Sequence, residues 1–221
     1  MTAEILSVNI SGLQAMYWNG EKVMTGINKT KVDHPVHVGA LSIEGDIQAD
    51  LVSHGGRDKA VYFYPSEHLP FWARILGKSQ LPPGSLGENF TTKGVLETEV
   101  FIGDVWRVGT ALVQVTQPRS PCYKLAIRYD RPDLVPRFLE ATKPGFYASV
   151  LQQGIVQSGD AMELISREQK EFTVADVFRL AVGFEPDAKL RQAIWNYDLI
   201  PAFWRRKVQA HAPATEVISA H

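Results

Sequence analysis

The spacing of apolar residues changes character near Arg167, and this change constrains the fold more than any other feature of the chain. From Glu4 to about Ile165 the apolar residues alternate or cluster in short runs between glycines, which is a strand pattern. Val105–Val108 and Ala111–Thr116 flank Gly109-Thr110, a two-residue connection whose leading glycine suits a type II′ hairpin turn. Phe146–Leu151 and Ile155–Ile165 form a second expected pair around Gln153-Gly154. Gly-Asp recurs at Gly45-Asp46, Gly103-Asp104 and Gly159-Asp160, each at the edge of an expected strand, and turn chemistry accounts for the last two.

Two helices interrupt the strands. Ser66 is placed to cap one that carries Leu69, Phe71, Trp72, Ile75 and Leu76 to a stop at Gly77. Asp130 with Pro132 opens another through Leu134, Val135, Phe138 and Leu139. Many short strands with glycine turns and few helices predict a closed or nearly closed β-barrel, a mainly β unit with some α. Beyond Arg167 the period is helical. Thr173 caps Val174, Val177, Phe178, Ala181 and Val182; Leu190, Ala193, Ile194 and Tyr197 share a second helix, and Pro201 opens a third. The expected boundaries are therefore 1–166 for the barrel, 167–210 for a three-helix domain and 211–221 for a flexible tail.

The first two C-terminal helices resemble a helix-turn-helix, yet Arg167 to Lys207 holds eight basic and six acidic residues, a near balance that argues for docking or core extension over nucleic acid. The whole chain carries a formal net charge of -1, without a long basic run. No apolar stretch approaches a bilayer span and the N-terminus lacks a basic segment followed by an apolar one, so a soluble, cytoplasmic protein with no membrane partner is expected. Five tryptophans among many aromatics are compatible with a homodimer.

Cys122 is the one cysteine in 221 residues. An intrachain disulfide, a CxxC redox pair and a cysteine-rich zinc cage are thereby excluded. It lies in Gln117-Pro118-Arg119-Ser120-Pro121-Cys122-Tyr123-Lys124, just after an expected strand. Arg119 and Lys124 favour the thiolate, the form that attacks electrophiles or ligates a soft metal; the other reading is a small buried hydrophobe.

Three further clusters are polar. Thr25–Thr30 puts Lys29 in a glycine-containing turn. His54-Gly55-Gly56-Arg57-Asp58-Lys59 leads into an expected strand and reads as an anion cradle, because the paired glycines let backbone N–H groups approach closely while Arg57 and Lys59 supply charge. The same segment also reads as a tight turn with solvated charges. Leu86-Gly87-Glu88-Asn89-Phe90 places a carboxylate and an amide at a strand start, where Asn89 can bond a heterocycle edge or loop backbone.

The order of these blocks, Gly26-Ile27 with Lys29, Gly45-Asp46, His54-Gly55-Gly56 with Asp58-Lys59-Ala60-Val61, Gly87-Glu88-Asn89-Phe90, and Gln117-Pro118-Arg119 with Pro121-Cys122 and Lys124-Leu125, resembles a MOSC domain. With the C-terminal helices it is similar to the YiiM-type members, from about Glu4 to Lys207. One departure is Ser42-Ile43 ahead of Glu44-Gly45-Asp46, where the family usually has leucine nearer the glycine.

The resemblance implies a MOSC-type β-barrel followed by a three-helix domain, a molybdenum cofactor (molybdopterin) and reduction of N-hydroxylated compounds such as 6-hydroxylaminopurine. It further implies Cys122 as the metal ligand. Lys29, His54, Gly55, Gly56, Arg57, Lys59, Arg119 and Lys124 are then candidates for phosphate and pterin contacts, with Asp58 and Asn89 positioning pterin or substrate. His54 is the first candidate proton donor, since its ordinary pKa lies near neutrality. The sequence holds no flavin or iron–sulfur motif, so a separate flavoprotein would supply electrons. A cofactor carrier without turnover and a persulfide carrier on Cys122 are the alternatives.

Overall fold

The computed structural model describes residues 3–49, 55–184 and 187–211. Twelve strands and six α-helices fall within them: β1 (Glu4–Ile10), β2 (Gln14–Trp18), β3 (Glu21–Thr25), β4 (Thr30–Val32), β5 (Val36–Val38), β6 (Val61–Pro65), α1 (Leu69–Ile75), β7 (Phe90–Lys93), β8 (Val105–Val108), β9 (Ala111–Pro118), α2 (Tyr123–Tyr129), α3 (Leu134–Ala141), β10 (Phe146–Gln152), β11 (Gly154–Val156), β12 (Met162–Ser166), α4 (Val174–Ala181), α5 (Ala188–Trp195) and α6 (Ala202–Ala210).

Eight strands form one sheet in the order β12-β8-β9-β10-β6-β7-β1-β4. Only β6 and β7 run parallel; the other pairs are antiparallel. Of the expected closed or nearly closed barrel, full closure is corrected: the sheet does not close. A strand has two edges, and β1 pairs with β7 on one while β4 takes the other from Val8 onward. Only the first residues of β1 remain to meet β12, through a bridge between Glu4 and Ala161 and a bond from Ile5 N–H to the Asp160 carbonyl, 2.9 Å.

The β8–β9 hairpin forms as expected, with Gly109 at φ +56°. The second expected hairpin does not. β11 pairs with β5, β12 pairs with β8, and β10 lies between β6 and β9. Gly154 is the reason: it crosses so close to the β8–β9 turn that a Cβ there would stand 2.4 Å from the Ala111 nitrogen, which carries the chain across that turn rather than back along β10. The expected helix from Ser66 begins as a 3-10 turn, Ser66–His68, and continues as α1, which Gly77 ends at φ +65°. α2 had no sequence signal; Asp130, read as a helix start, is instead its left-handed C-cap at φ +51°.

β6, Val-Tyr-Phe-Tyr-Pro, is buried throughout because it sits mid-sheet with both faces covered. Phe63 packs on Phe90 and Phe146 with ring centroids 4.9 and 5.1 Å apart, and Trp72 of α1 stacks on Phe138 of α3 at 5.4 Å.

The three C-terminal helices share this core. Thr173 and Asp176 form a capping box on α4. Fully buried Trp204 of α6 packs on Phe178 of α4 and donates its indole N–H to Gln117 Oε1 of β9, 2.9 Å. Trp204→Phe leaves that oxygen unpaired and a void where the second indole ring packed, and a loss of about 2–3 kcal/mol in urea unfolding is expected; no loss would mean that neither the bond nor the ring ties α6 to the sheet.

Candidate functional site

A cleft open to solvent gathers the polar blocks. Lys29, Asp46, Lys59, Asn89, Arg119, Cys122 and Lys124 line it, together with Tyr62 and Tyr147. Its walls come from the loop after β3, the loop after β5, the start of β6, the turn before β7, and the segment between β9 and α2. Gly26 lets two of these loops touch, since a Cβ there would meet the Ile47 carbonyl oxygen at 2.0 Å. Gly87, at φ +83°, passes against Ile27 in the same way.

The back wall is a buried ionic lattice. Lys29 Nζ donates to both Asp46 oxygens, at 2.5 and 2.6 Å. Asp46 also accepts from Ser11 N–H at 2.9 Å and from Asn89 Nδ2 at 2.9 Å. Burial pushes the Lys29 ammonium below its ordinary range, and Asp46 only partly offsets that. Asn89 Oδ1 accepts from Tyr62 N–H at 3.1 Å, so its side chain closes the framework with both ends.

Arg119 is buried beside this lattice. It donates to the Leu86 carbonyl and lies over the Tyr62 and Phe138 rings, 4.9 and 5.7 Å from their centroids. Burial opposes its charge, but Tyr62, Tyr147 and Cys122 outweigh that, so the guanidinium stays protonated. Burial likewise pushes the phenols of Tyr62 and Tyr147 upward.

The Leu86 loop is itself held by Glu88, whose carboxylate accepts from Gly84 N–H (2.7 Å), Leu86 N–H (2.9 Å) and Thr91 Oγ1 (2.8 Å). Burial raises the Glu88 pKa against these bonds.

Cys122 is half-buried with extended backbone and begins α2. That helix is fixed from behind: Arg128 donates to the carbonyls of Ile27 (2.7 Å) and Gly84 (2.8 Å), and Tyr129 OH to Ser85 (2.8 Å). The thiol is therefore positioned by two of the loops that form the cleft. Among the described residues four cations, Lys29, Lys59, Arg119 and Lys124, stand against one lining carboxylate, Asp46.

Gly55, Gly56, Arg57 and Asp58 are not among the cleft-lining residues. Gly56, Arg57 and Asp58 are exposed, and the Asp58 carbonyl accepts from Thr116 and Gln117 in a 3-10 turn over Arg57–Lys59. His54 lies outside the described residues. Sequence reasoning did not assign Asp46, Tyr62, Tyr147 or Arg128 to the site. Asp46 carried a signal, the Gly45-Asp46 pair; the tyrosines read only as strand residues.

Residues 50–163 match the MOSC domain family. The chain belongs to the MOSC domain family. This MOSC protein is 44% identical over 170 residues to the uncharacterised protein YflK of Bacillus subtilis (strain 168), covering 77% of this chain and 76% of that one. It is 40% identical over 187 residues to protein YiiM of Escherichia coli (strain K12), covering 84% and 83%. A protein named reductase from Gibberella moniliformis (strain M3125 / FGSC 7600) is 31% identical over 169 residues, 73% of this chain but 29% of that longer one. The crystal structure of YiiM from Geobacillus stearothermophilus superposes with a TM-score of 0.78 at 34% identity, covering 96% of this MOSC protein and all of that chain.

The donor set fits a phosphate-bearing group that carries a thiophilic metal. Cations line the cleft and a single thiol stands in its wall. Among the described residues no group of three or more His, Cys, Asp or Glu side chains could hold a metal ion, so a metal on Cys122 would draw its other ligands from a bound group. No helix among the described residues is long and apolar enough to cross a membrane.

Proposed function

We propose that this MOSC protein is a molybdenum-cofactor-dependent reductase of N-hydroxylated compounds, 6-hydroxylaminopurine being the representative substrate. The overall change is R–NHOH plus two electrons and two protons to R–NH2 plus water. The observation that carries the reading is the half-buried Cys122 thiol in the wall of a cleft lined, among the described residues, by four cations and one carboxylate. MOSC membership and the reductase name of a relative add support to redox chemistry.

When bound, a molybdenum–pterin group supplies the two-electron couple, replenished by a separate flavoprotein. The chain contributes binding and orientation. Cys122 would hold the metal. Lys59, Lys124 and Arg119, which line the cleft, would meet a phosphate and polar pterin atoms, and Arg119 would also counter negative charge beside the thiolate. Lys29 is bound to Asp46, so its role would be to keep one wall positive and rigid.

The test is turnover of 6-hydroxylaminopurine with an artificial reductant, on protein purified from a cofactor-competent host and assayed for molybdenum and pterin. Adenine formation at near-stoichiometric metal is expected. Metal without turnover would leave a carrier, and one extra sulfur mass on Cys122 without metal would favour the persulfide reading. Absence of both metal and pterin would overturn the proposal.

A further inference from the structure

The hydrogen-bond inventory of the cleft separates side chains that build its wall from those left to meet a ligand. Lys29, Asp46 and Asn89 bond one another. Arg119 bonds the Leu86 carbonyl, Gln48 Nε2 the Lys59 carbonyl at 3.1 Å, and Tyr62 OH the Pro144 carbonyl at 2.7 Å. Tyr147 differs. It lines the same cleft, yet its hydroxyl makes no hydrogen bond to any described residue.

Packing does not explain that hydroxyl. The ring lies against Tyr62 with centroids 4.9 Å apart, a contact that phenylalanine would make equally well. β10 holds the residue opposite Tyr62 and Gln117, so its backbone is paired on both sides. The phenol is close enough to Arg119 and Cys122 to feel both charges. An uncharged O–H donor with no acceptor among the described residues thus belongs to a residue that lines the cleft together with Cys122. The hydroxyl is not among the fully buried unpartnered groups, so water reaches it, and a ligand entering the cleft can take that water's place.

We propose that Tyr147 is a catalytic residue: its hydroxyl hydrogen-bonds the oxygen of the bound N-hydroxyl group and passes its proton to that oxygen as the N–O bond breaks. The proposal rests on the reductase reading of the cleft. The oxygen leaves as water, with its own proton and that of Tyr147. The N–O bond's electron pair leaves with that oxygen, the reduced cofactor and its flavoprotein donor return two electrons to nitrogen, and nitrogen takes one proton from solvent. Arg119 faces the transient phenolate, which regains its proton from solvent. Because the bond is made to the hydroxyl oxygen, Tyr147 also distinguishes the substrate from its amine product.

The test is Tyr147→Phe in the cofactor-loaded protein. Metal and pterin content and thermal midpoint should equal those of the wild type. kcat for 6-hydroxylaminopurine should fall about 100-fold, the usual scale of a lost proton donor. Calorimetric titration of the oxidised protein should show the preference for an N-hydroxylated purine over adenine falling about tenfold, as expected for one lost hydrogen bond. A kcat within twofold of wild type, or loss of the cofactor itself, would overturn the assignment.

Turnover by the wild type with an unchanged Tyr147→Phe variant sinks Tyr147 alone; no turnover by the loaded wild type sinks the reductase reading and this role with it. Should the variant not fold, nitration of Tyr147 in the wild-type protein decides. Slowing by the N-hydroxylated purine and not by adenine supports the contact, and equal rates overturn it.

Discussion

Molybdenum in protein from a cofactor-competent host is expected to fall to background when Cys122 is replaced by alanine, with the fold intact. Cys122 is half-buried at the start of α2, whose position depends on Arg128 and Tyr129 rather than on the thiol. Truncating one partly exposed sulfur should therefore change stability by about 0.5 kcal/mol at most. A metal held by that thiolate would have no substitute ligand, since no other cysteine exists and no described His, Asp or Glu cluster could replace it. Metal analysis and thermal unfolding of the same preparations provide the check. Wild-type molybdenum in Cys122→Ala would remove the thiolate from the metal and leave the four cations as the binding determinant.

The second large effect concerns stability. Asp46→Ala should cost about 3–5 kcal/mol, the scale for removing one partner of a buried ion pair. Lys29 would be left charged in the interior, and Ser11 N–H and Asn89 Nδ2 would lose their acceptor. Equilibrium urea unfolding measures this, and the double change Lys29→Met with Asp46→Leu should recover more than half of the loss because it removes both charges. A loss under about 1 kcal/mol for Asp46→Ala would show that water reaches Lys29.

The same group sets a pH trend. The folded-state pKa of Lys29 lies below its ordinary 10.5, so between those values the unfolded chain binds more protons. The contribution of Lys29 to stability therefore rises with pH through that window.

Much of the site was legible because it is written in residue types with few structural uses. A lone cysteine between Arg119 and Lys124, a lysine in a glycine turn, and Asn89 after Gly87 all fell on one cleft. The paired-glycine segment was less transparent: its Lys59 reaches the cleft while Arg57 and Asp58 turn outward, because a 3-10 turn rotates successive side chains by about 120°. Asp46 was visible only as half of a turn dipeptide, and nothing local distinguishes it from Asp104 or Asp160. Its partner, Lys29, is seventeen residues away and Asn89 forty-three.

The amino-acid sequence by itself determined the division into a strand-rich part and three C-terminal helices, since hydrophobic period depends on neighbours within a few residues. It also determined the chemistry available, by holding one thiol and several cations near glycines. Tertiary structure alone decided strand partnership. Gly154 sends β11 to β5 rather than back along β10, and β4 occupies the β1 edge that a barrel would need. It decided, too, which polar groups are engaged: Asn89 closes the wall, whereas Tyr147, one residue in a buried strand by its pattern, presents a hydroxyl with no described partner to the cleft. Such distinctions depend on which distant backbone and side-chain atoms come within about 3 Å, and pairings across long loops leave no periodic trace along the chain.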